Sequence, residues 1–233
     1  YLDTFSGIAV CGLGHAHPDV TKTIQHQAAK LLHTSNAFQI QEQTLLAERL
    51  TQLSGMEQVF FSNSGAEANE AAIKLARLYG HKKGIDTPSI IVMENAFHGR
   101  TMATLTASGS RKVQAGFEPL LPGFVRAPFN DIKALRAIAA NSHDIVAVML
   151  EPIQGEGGVL VADETYLRAV AALCEEQDWL FILDEVQTGN GRTGKLFNFM
   201  DVGIHPDVVT TAKGLGNGIP IGACLMRNRA CDL

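Results

Sequence analysis

Short apolar runs alternate with longer amphipathic segments along most of this chain. The short runs, nearly continuous in Val, Ile, Leu and Phe, predict strands that are covered on both faces. The longer segments repeat their apolar residues at a helical period and predict helices. This alternation indicates βαβ units, and hence an α/β fold with a mostly parallel sheet and helices on both faces. The predicted strands are 58–62, 89–93, 145–150, 180–184, 208–212 and 222–226, and the predicted helices are 18–32, 41–53, 66–79, 132–140 and 164–177.

The 233 residues suit one large α/β domain, because no internal repeat, low-complexity tract or linker divides them. We predict an N-terminal lead-in with helices at 1–57, an arm that packs elsewhere, and a large domain at 58–233. Right-handed crossovers in such a sheet place a ligand crevice at the carboxyl ends of the strands. Since the chain starts at Tyr1 and stops at Leu233, we expect it to be part of a longer polypeptide.

Composition excludes several classes of protein. The 46% hydrophobic and 18% charged content is that of a globular chain. With a net charge of -5 and no basic run, we expect no nucleic-acid partner. No apolar run reaches the ~18 residues of a membrane span. The four cysteines, Cys11, Cys174, Cys224 and Cys231, are widely spaced and form no C-x-x-C pair. This pattern predicts reduced thiols and a cytoplasmic protein. It indicates neither a disulfide framework nor a zinc site.

Lys213 lies between an apolar strand and the glycine-rich stretch 214–218. The glycines leave room for a flat ligand. An amine held there can form an imine with an aldehyde or ketone. From this stretch alone, a lysine that snorkels at a strand end is an equal alternative.

Two further segments supply groups for a ligand. Ser64, Gly65 and Ala66 join a strand to an amphipathic helix, where free N–H groups and the helix dipole favour the binding of an anion. The alternative is a plain N-cap that binds no ligand.

Asp184 ends a fully apolar strand and therefore needs a cationic partner, such as a protonated pyridine nitrogen. Gln187 can hydrogen-bond a ring hydroxyl. A metal-binding Asp-Glu pair would need a G-x-x-x-x-G-K-[ST] loop, which the sequence lacks.

Three further glycine-containing segments also come after predicted strands. The run 189–194 matches G-x-G-x-x-G, but no helical period follows it, so we reject a dinucleotide fold and predict a flexible active-site loop. In the segment 96–101, Phe97 can stack on a flat ring and Arg100 can grip a carboxylate, although core packing and a surface ion pair are the commoner roles. Glu156 lies in a glycine-rich turn and can pair with a mobile arginine, or remain a solvated turn residue.

Five loops after predicted strands thus supply an anion cradle, an acid, an amide, an aromatic with a cation, and a lysine. In a doubly wound sheet such loops converge on one crevice. Together they indicate pyridoxal 5′-phosphate, with its phosphate on a helix end, its ring nitrogen on Asp184 and its aldehyde on Lys213.

Six segments also carry a family resemblance: GHAHP (14–18), NSGAEANE (63–70), FHGRT (97–101), EPIQGEGG (151–158), DEVQTG (184–189) and AKG (212–214). In this order they resemble the class III aminotransferases of the fold-type-I pyridoxal-phosphate superfamily, over essentially the whole chain. The resemblance implies the large domain of that fold. It also implies that the small C-terminal domain, with its switch arginine and a threonine that reaches the neighbouring subunit's phosphate, is absent from this chain.

By this resemblance, Lys213 is the imine-forming catalytic lysine and Asp184 partners the pyridine nitrogen. Gln187 contacts the ring hydroxyl and Phe97 stacks on the ring. The resemblance also implies that Ser64, Gly65 and Ala66 bind the cofactor phosphate and that His98 contacts the cofactor. Arg100 would then bind the substrate carboxylate, and Glu156 would be the family's switch glutamate.

Within the class, the loops 33–36, 115–119 and 128–131 are most similar to those of acetylornithine aminotransferases. This implies an amine donor with 2-oxoglutarate as acceptor, a role in arginine biosynthesis and a homodimer. Ornithine, succinylornithine or 4-aminobutyrate as donor, a glutamate-1-semialdehyde aminomutase, and a catalytically inactive fragment are the alternatives.

Overall fold

The structure, a computed structural model, describes residues 1–233 and contains nine strands. They are β1 (Gln58–Ser62), β2 (Ser89–Met93), β3 (Phe124–Ala127), β4 (Ile145–Leu150), β5 (Ile153–Gln154), β6 (Leu160–Val161), β7 (Leu180–Asp184), β8 (Val208–Thr211) and β9 (Gly222–Met226). Seven of them form one sheet in the order β1-β9-β8-β7-β4-β2-β3, and β5 and β6 form a separate antiparallel pair.

Five adjacent strands of the sheet, β8-β7-β4-β2-β3, are parallel. Strand β9 runs antiparallel to both of its neighbours, so β1 points the same way as β8. The carboxyl ends of six strands therefore meet at one edge of the sheet, together with the amino end of β9. The prediction of a mostly parallel sheet is confirmed.

The helices are α1 (Ser6–Ala9), α2 (Pro18–Lys30), α3 (Gln41–Ser54), α4 (Gly65–Lys82), α5 (Met102–Ala107), α6 (Arg111–Gln114), α7 (Ile132–Asn141), α8 (Glu164–Glu176) and α9 (Phe199–Val202). Two 3₁₀ turns follow, at Lys213–Leu215 and Asn228–Ala230. No helix has both the length and the apolar character needed to cross a bilayer.

Helices cover both faces of the sheet, as the sequence predicts. Side chains alternate between the faces along each strand, because successive Cβ atoms of a strand point to opposite sides. In β2, Ile90 and Val92 pack on the side of α4 and α5, whereas Ile91 and Met93 pack on the side of α7 and α8. Every residue of β2, β4, β7, β8 and β9 is buried. This burial on both faces explains why the sequences of β2, β4 and β7 are almost entirely apolar.

All six predicted strands and all five predicted helices are present, with ends that shift by at most three residues. Strand β3 was not predicted, because its four residues include the exposed Arg126 and its sequence shows no clear period. Helix α5 was also missed, because it is only six residues long, four of them Ala or Thr, and gives no amphipathic pattern. The added elements leave the predicted architecture unchanged.

The N-terminal 57 residues are mostly exposed, and only Leu50, Ser54 and Met56 are buried. Their last helix, α3, lies against β1. The division into a lead-in at 1–57 and a large domain at 58–233 stays a prediction.

Candidate active site

A cavity of about 440 Å³ opens where the carboxyl ends of β1, β2, β4, β7 and β8 meet. Residues that follow each of these strands line it, together with 219–221, which precede β9. The structure brings every predicted site residue into this one cavity: Ser64, Gly65, Ala66, Phe97, His98, Arg100, Glu156, Asp184, Gln187 and Lys213.

Asp184, the last residue of β7, is 4% exposed and lies at the centre of a hydrogen-bond network. Its Oδ2 accepts from Asn69 Nδ2 at 2.7 Å and from His98 Nδ1 at 2.8 Å. Its Oδ1 accepts from the Val186 N–H at 3.0 Å. A carboxylate has about four acceptor positions, so one on Oδ1 is left for a cationic N–H donor in the cavity.

His98 is buried and pairs with Asp184 through Nδ1. Burial alone would lower the pKa of His98, but the hydrogen bond and the charges of Asp184 and Glu151 outweigh it, so the pKa is raised. The other ring nitrogen, Nε2, is buried and has no partner within the chain. The imidazole thus shares the Oδ2 atom of Asp184 with the amide of Asn69.

Asn69 on α4 was missed by the sequence analysis as a site residue. Its side chain is buried and donates to both Asp184 Oδ2 and the His98 carbonyl, while its Oδ1 accepts from Thr210 Oγ1 at 2.6 Å. The available signal was an asparagine on an otherwise apolar helix face between Ala68 and Ala72, because a buried amide needs partners.

Glu151, directly after β4, was also missed as a site residue. It is buried and lines the cavity. It accepts from the backbone N–H groups of Phe97, at 2.8 Å, and Gly155, at 3.4 Å. Burial raises the pKa of Glu151 to about 7. The carboxyl group therefore ties the segment with the aromatic ring of Phe97 to the glycine-rich turn.

Lys213 follows β8 and begins a 3₁₀ turn with a backbone φ of 43°. Its side chain lines the same cavity as Asp184, Glu151 and Glu156. Burial lowers the pKa of Lys213 below its usual value, and these three carboxylates offset part of the effect. A larger fraction of neutral amine is therefore present than for an exposed lysine, as a nucleophile or a base requires.

The amino end of α4 faces the cavity. Ser64 caps the helix, since its Oγ accepts from the Glu67 N–H at 3.2 Å, and its own hydroxyl proton remains available to a ligand. The N–H groups of Gly65 and Ala66 have no acceptor in the chain. These three donors and the positive end of an 18-residue helix form a site suited to an anion.

Gly65 is required here by close packing. A Cβ at this position would lie 2.7 Å from Val186 Cγ1 and 3.4 Å from the Cβ of Ala212. The helix end therefore lies directly against the loops that follow β7 and β8.

The remaining predicted residues lie around the rim. Arg100 and Glu156 are exposed and make no ion pair. Gln187 is half-buried and lies against Gly155, where an added Cβ would clash with its side chain. The G-x-G-x-x-G run at 189–194 forms consecutive turns and leads into no helix before Phe199. A dinucleotide-binding loop would lead directly into a helix, so the structure agrees with the rejection of that fold.

Comparison with known proteins gives the same family at every level. Residues 1–232 match the family model for "Aminotransferase class-III". Acetylornithine aminotransferase from Nitrosomonas europaea is 60% identical over the whole chain, and acetylornithine aminotransferase 1 from Bordetella parapertussis is 53% identical. The chain spans 59% of the length of each of these curated relatives.

Two solved structures extend the comparison. The ornithine aminotransferase of Toxoplasma gondii has a TM-score of 0.93 at 33% identity, covering 98% of this chain and 55% of that one. The N-acetylornithine aminotransferase of Stenotrophomonas maltophilia has a TM-score of 0.84 at 44% identity, covering 98% and 57%. This chain belongs to the class III aminotransferase family, whose enzymes use pyridoxal 5′-phosphate.

Proposed function

We propose that the protein to which this chain belongs transfers the terminal amino group of N2-acetylornithine to 2-oxoglutarate. The products are N-acetylglutamate 5-semialdehyde and glutamate, a step of arginine biosynthesis. The observation that carries the reaction type is the single cavity holding a lysine amine, a buried carboxylate and a helix amino end. The names of relatives at 53–60% identity support the choice of amine donor.

The donor set fits pyridoxal phosphate. A phosphate needs hydrogen-bond donors, and Ser64, Gly65 and Ala66 offer three that have no competing acceptor. A protonated pyridine nitrogen needs a carboxylate, and Asp184 keeps a free acceptor position. When bound, the cofactor supplies an aldehyde that takes up the amino group and a ring that withdraws electrons from the substrate carbon.

The chain's own residues then hold and move protons. Lys213 Nζ, with its lowered pKa, would take the proton from the substrate carbon that carries the amino group, as a general base, and would then deliver it, as a general acid, to the former aldehyde carbon of the cofactor. Asp184 would accept a hydrogen bond from the ring N–H and so keep the ring nitrogen protonated. Asn69 and His98 hold the carboxylate in place for that contact.

The rim residues orient the substrates. The exposed guanidinium of Arg100 is suited to a bidentate contact with the substrate carboxylate. We assign Glu156, in the glycine-rich turn, the role of pairing with a mobile cation, and Phe97 and Gln187 those of contacting the ring face and the ring hydroxyl. Glu151 maintains Phe97 in position through its backbone N–H.

Replacement of Lys213 by alanine tests the reaction type. We expect Lys213→Ala to abolish both amino transfer and the visible absorbance of lysine-bound cofactor. Lys195→Ala is the matched control, because Lys195 is an exposed lysine outside the cavity. Full activity and colour in Lys213→Ala would refute the proposal.

A comparison of amine donors tests the substrate. Steady-state rates with N2-acetylornithine, ornithine, succinylornithine and 4-aminobutyrate are expected to give the highest kcat/KM for N2-acetylornithine. A preference for ornithine would favour the activity of the Toxoplasma neighbour instead. Turnover of glutamate 1-semialdehyde without 2-oxoglutarate would indicate an aminomutase.

We also propose that the protein acts as a homodimer. Large apolar side chains are exposed along the N-terminal segment, including Tyr1, Leu2, Phe5, Leu32 and Phe38. Such exposure is typical of surfaces that another chain or segment covers. Sedimentation equilibrium is expected to give twice the chain mass, and a monomer at all concentrations would contradict the proposal.

A further inference from the structure

One side chain outside the cavity contacts the backbone that carries Lys213. Asn190 lies in the loop between β7 and β8, at the second position of the G-x-G-x-x-G run. Its Nδ2 donates to Thr211 Oγ1 at 2.8 Å and to the carbonyl oxygen of Ala212 at 3.0 Å. Both donor positions of this amide are therefore used on the two residues that precede Lys213.

The backbone at this point is in an unfavourable conformation. Lys213 has a φ of 43°, in the left-handed region that non-glycine residues rarely adopt. Such a conformation persists where surrounding contacts determine it. The Ala212 carbonyl accepts from Asn190 and also from the Leu215 N–H at 2.9 Å, so both of its lone pairs are bound.

Asn190 also flanks the residue after Lys213. A Cβ added at Gly214 would lie 3.2 Å from the Cβ of Asn190. Asn190 itself has a φ of 57°, which asparagine tolerates better than most residues. The loop residue thus contacts the chain on both sides of the lysine while its own backbone stays in a permitted conformation.

We propose that Asn190 is a positioning residue: its paired hydrogen bonds to Thr211 and Ala212 fix the turn that directs the Lys213 amine into the cavity. This inference rests on the proposed role of Lys213. It assigns a role to a loop that the sequence analysis treated only as flexible.

Asn190→Gly is the main test variant, because glycine keeps the positive φ and removes only the side chain. Thr211→Val is a second variant that removes one acceptor at nearly constant shape and volume. Asn198→Ala is the matched control, since Asn198 lies on the same loop and its side chain makes no hydrogen bond.

Two readouts are measured on each variant. The first is the pH dependence of Lys213 acetylation by acetic anhydride in the cofactor-free chain, followed by mass spectrometry of the Lys213 peptide. The second is the affinity for pyridoxal phosphate, followed by fluorescence titration. Thermal unfolding of the same samples reports any general loss of stability.

We expect Asn190→Gly to move the acetylation midpoint of Lys213 upwards, towards an ordinary lysine, because a less constrained amine reaches water. Cofactor affinity is expected to fall about tenfold, the scale of two lost hydrogen bonds, and about threefold in Thr211→Val. Asn198→Ala should change neither quantity.

The proposal is overturned if Asn190→Gly and Thr211→Val keep the midpoint and the affinity of the unsubstituted chain. It is also overturned if both variants merely unfold at lower temperature with an unchanged midpoint, because Asn190 would then be structural only. Failure of the proposed function would give a different result, because the unsubstituted chain would then bind no pyridoxal phosphate. The acetylation midpoints of Lys213 need no cofactor and would still test the role of Asn190.

Discussion

The substitution Asp184→Asn removes the negative charge of the buried side chain and leaves its size and shape almost unchanged. In the native site, Oδ2 accepts two hydrogen bonds and Oδ1 accepts one, all from N–H donors. An amide has only one acceptor atom, so one of the two positions must become an NH₂ group that faces donors. The better orientation keeps the oxygen towards Asn69 and His98 and turns the NH₂ towards the Val186 N–H.

The expected loss of stability follows from the contact between the new NH₂ group and the Val186 N–H, two donors that face each other. Leaving a buried N–H without an acceptor costs about 1–3 kcal/mol. Since Asp184 is 4% exposed, solvent cannot relieve much of this cost. For a chain of this size, the expected fall in unfolding temperature of the cofactor-free protein is roughly 2–12 °C. Amino transfer is expected to fall by about 10²-fold or more, because the ring N–H loses its negative partner.

Differential scanning calorimetry of the cofactor-free chain and steady-state kinetics of the full-length enzyme measure the two effects. Asp201→Asn is the control, because Asp201 is exposed and makes no side-chain hydrogen bond. An Asp184→Asn variant with native unfolding temperature and native turnover would refute the assigned role of the network.

Three further predictions concern two residues of the site, Gly65 and Arg100, and the buried Glu185 beside Asp184. Gly65→Ala is expected to weaken cofactor binding about tenfold in a fluorescence titration, because the new Cβ would lie 2.7 Å from Val186 Cγ1 and displace the helix end. Burial raises the pKa of Glu185 from 4.5 to about 7. Its contribution to stability is therefore complete below about pH 4.5 and is lost as the pH rises through about 7. Urea unfolding of the native chain is expected to lose up to about 3 kcal/mol across that window, and Glu185→Gln to lose less. Arg100→Lys is expected to raise KM for the carboxylate substrate about tenfold at unchanged unfolding temperature, since Arg100 is exposed.

Each of these has a clear contrary result. Native cofactor affinity in Gly65→Ala would show that the helix end tolerates a Cβ. Equal pH dependence in the native chain and Glu185→Gln would show that this carboxyl group titrates normally. An unchanged KM in Arg100→Lys would remove Arg100 from the substrate site.

The sequence by itself determined the elements and the residues at their ends. Apolar runs and helical periods are local properties, so β7 and β8 were predicted within one residue of their observed bounds. Ser64, Asp184 and Lys213 stand where strands end, and parallel strands bring their carboxyl ends to one edge. Their convergence on one cavity was therefore predictable without knowing the order of the strands.

Tertiary structure alone decided how those residues are supported. Asn69 meets Asp184 and Thr210 across 115 and 141 residues of chain, and no local pattern relates such positions. The antiparallel direction of β9 was equally hidden, because a strand buried on both faces has the same apolar sequence in either direction. Asn190 gains its contacts with Ala212 only when two loops meet above the sheet. Periodicity specifies which face of an element is buried, whereas hydrogen bonds between distant loops depend on distances that only the folded chain sets.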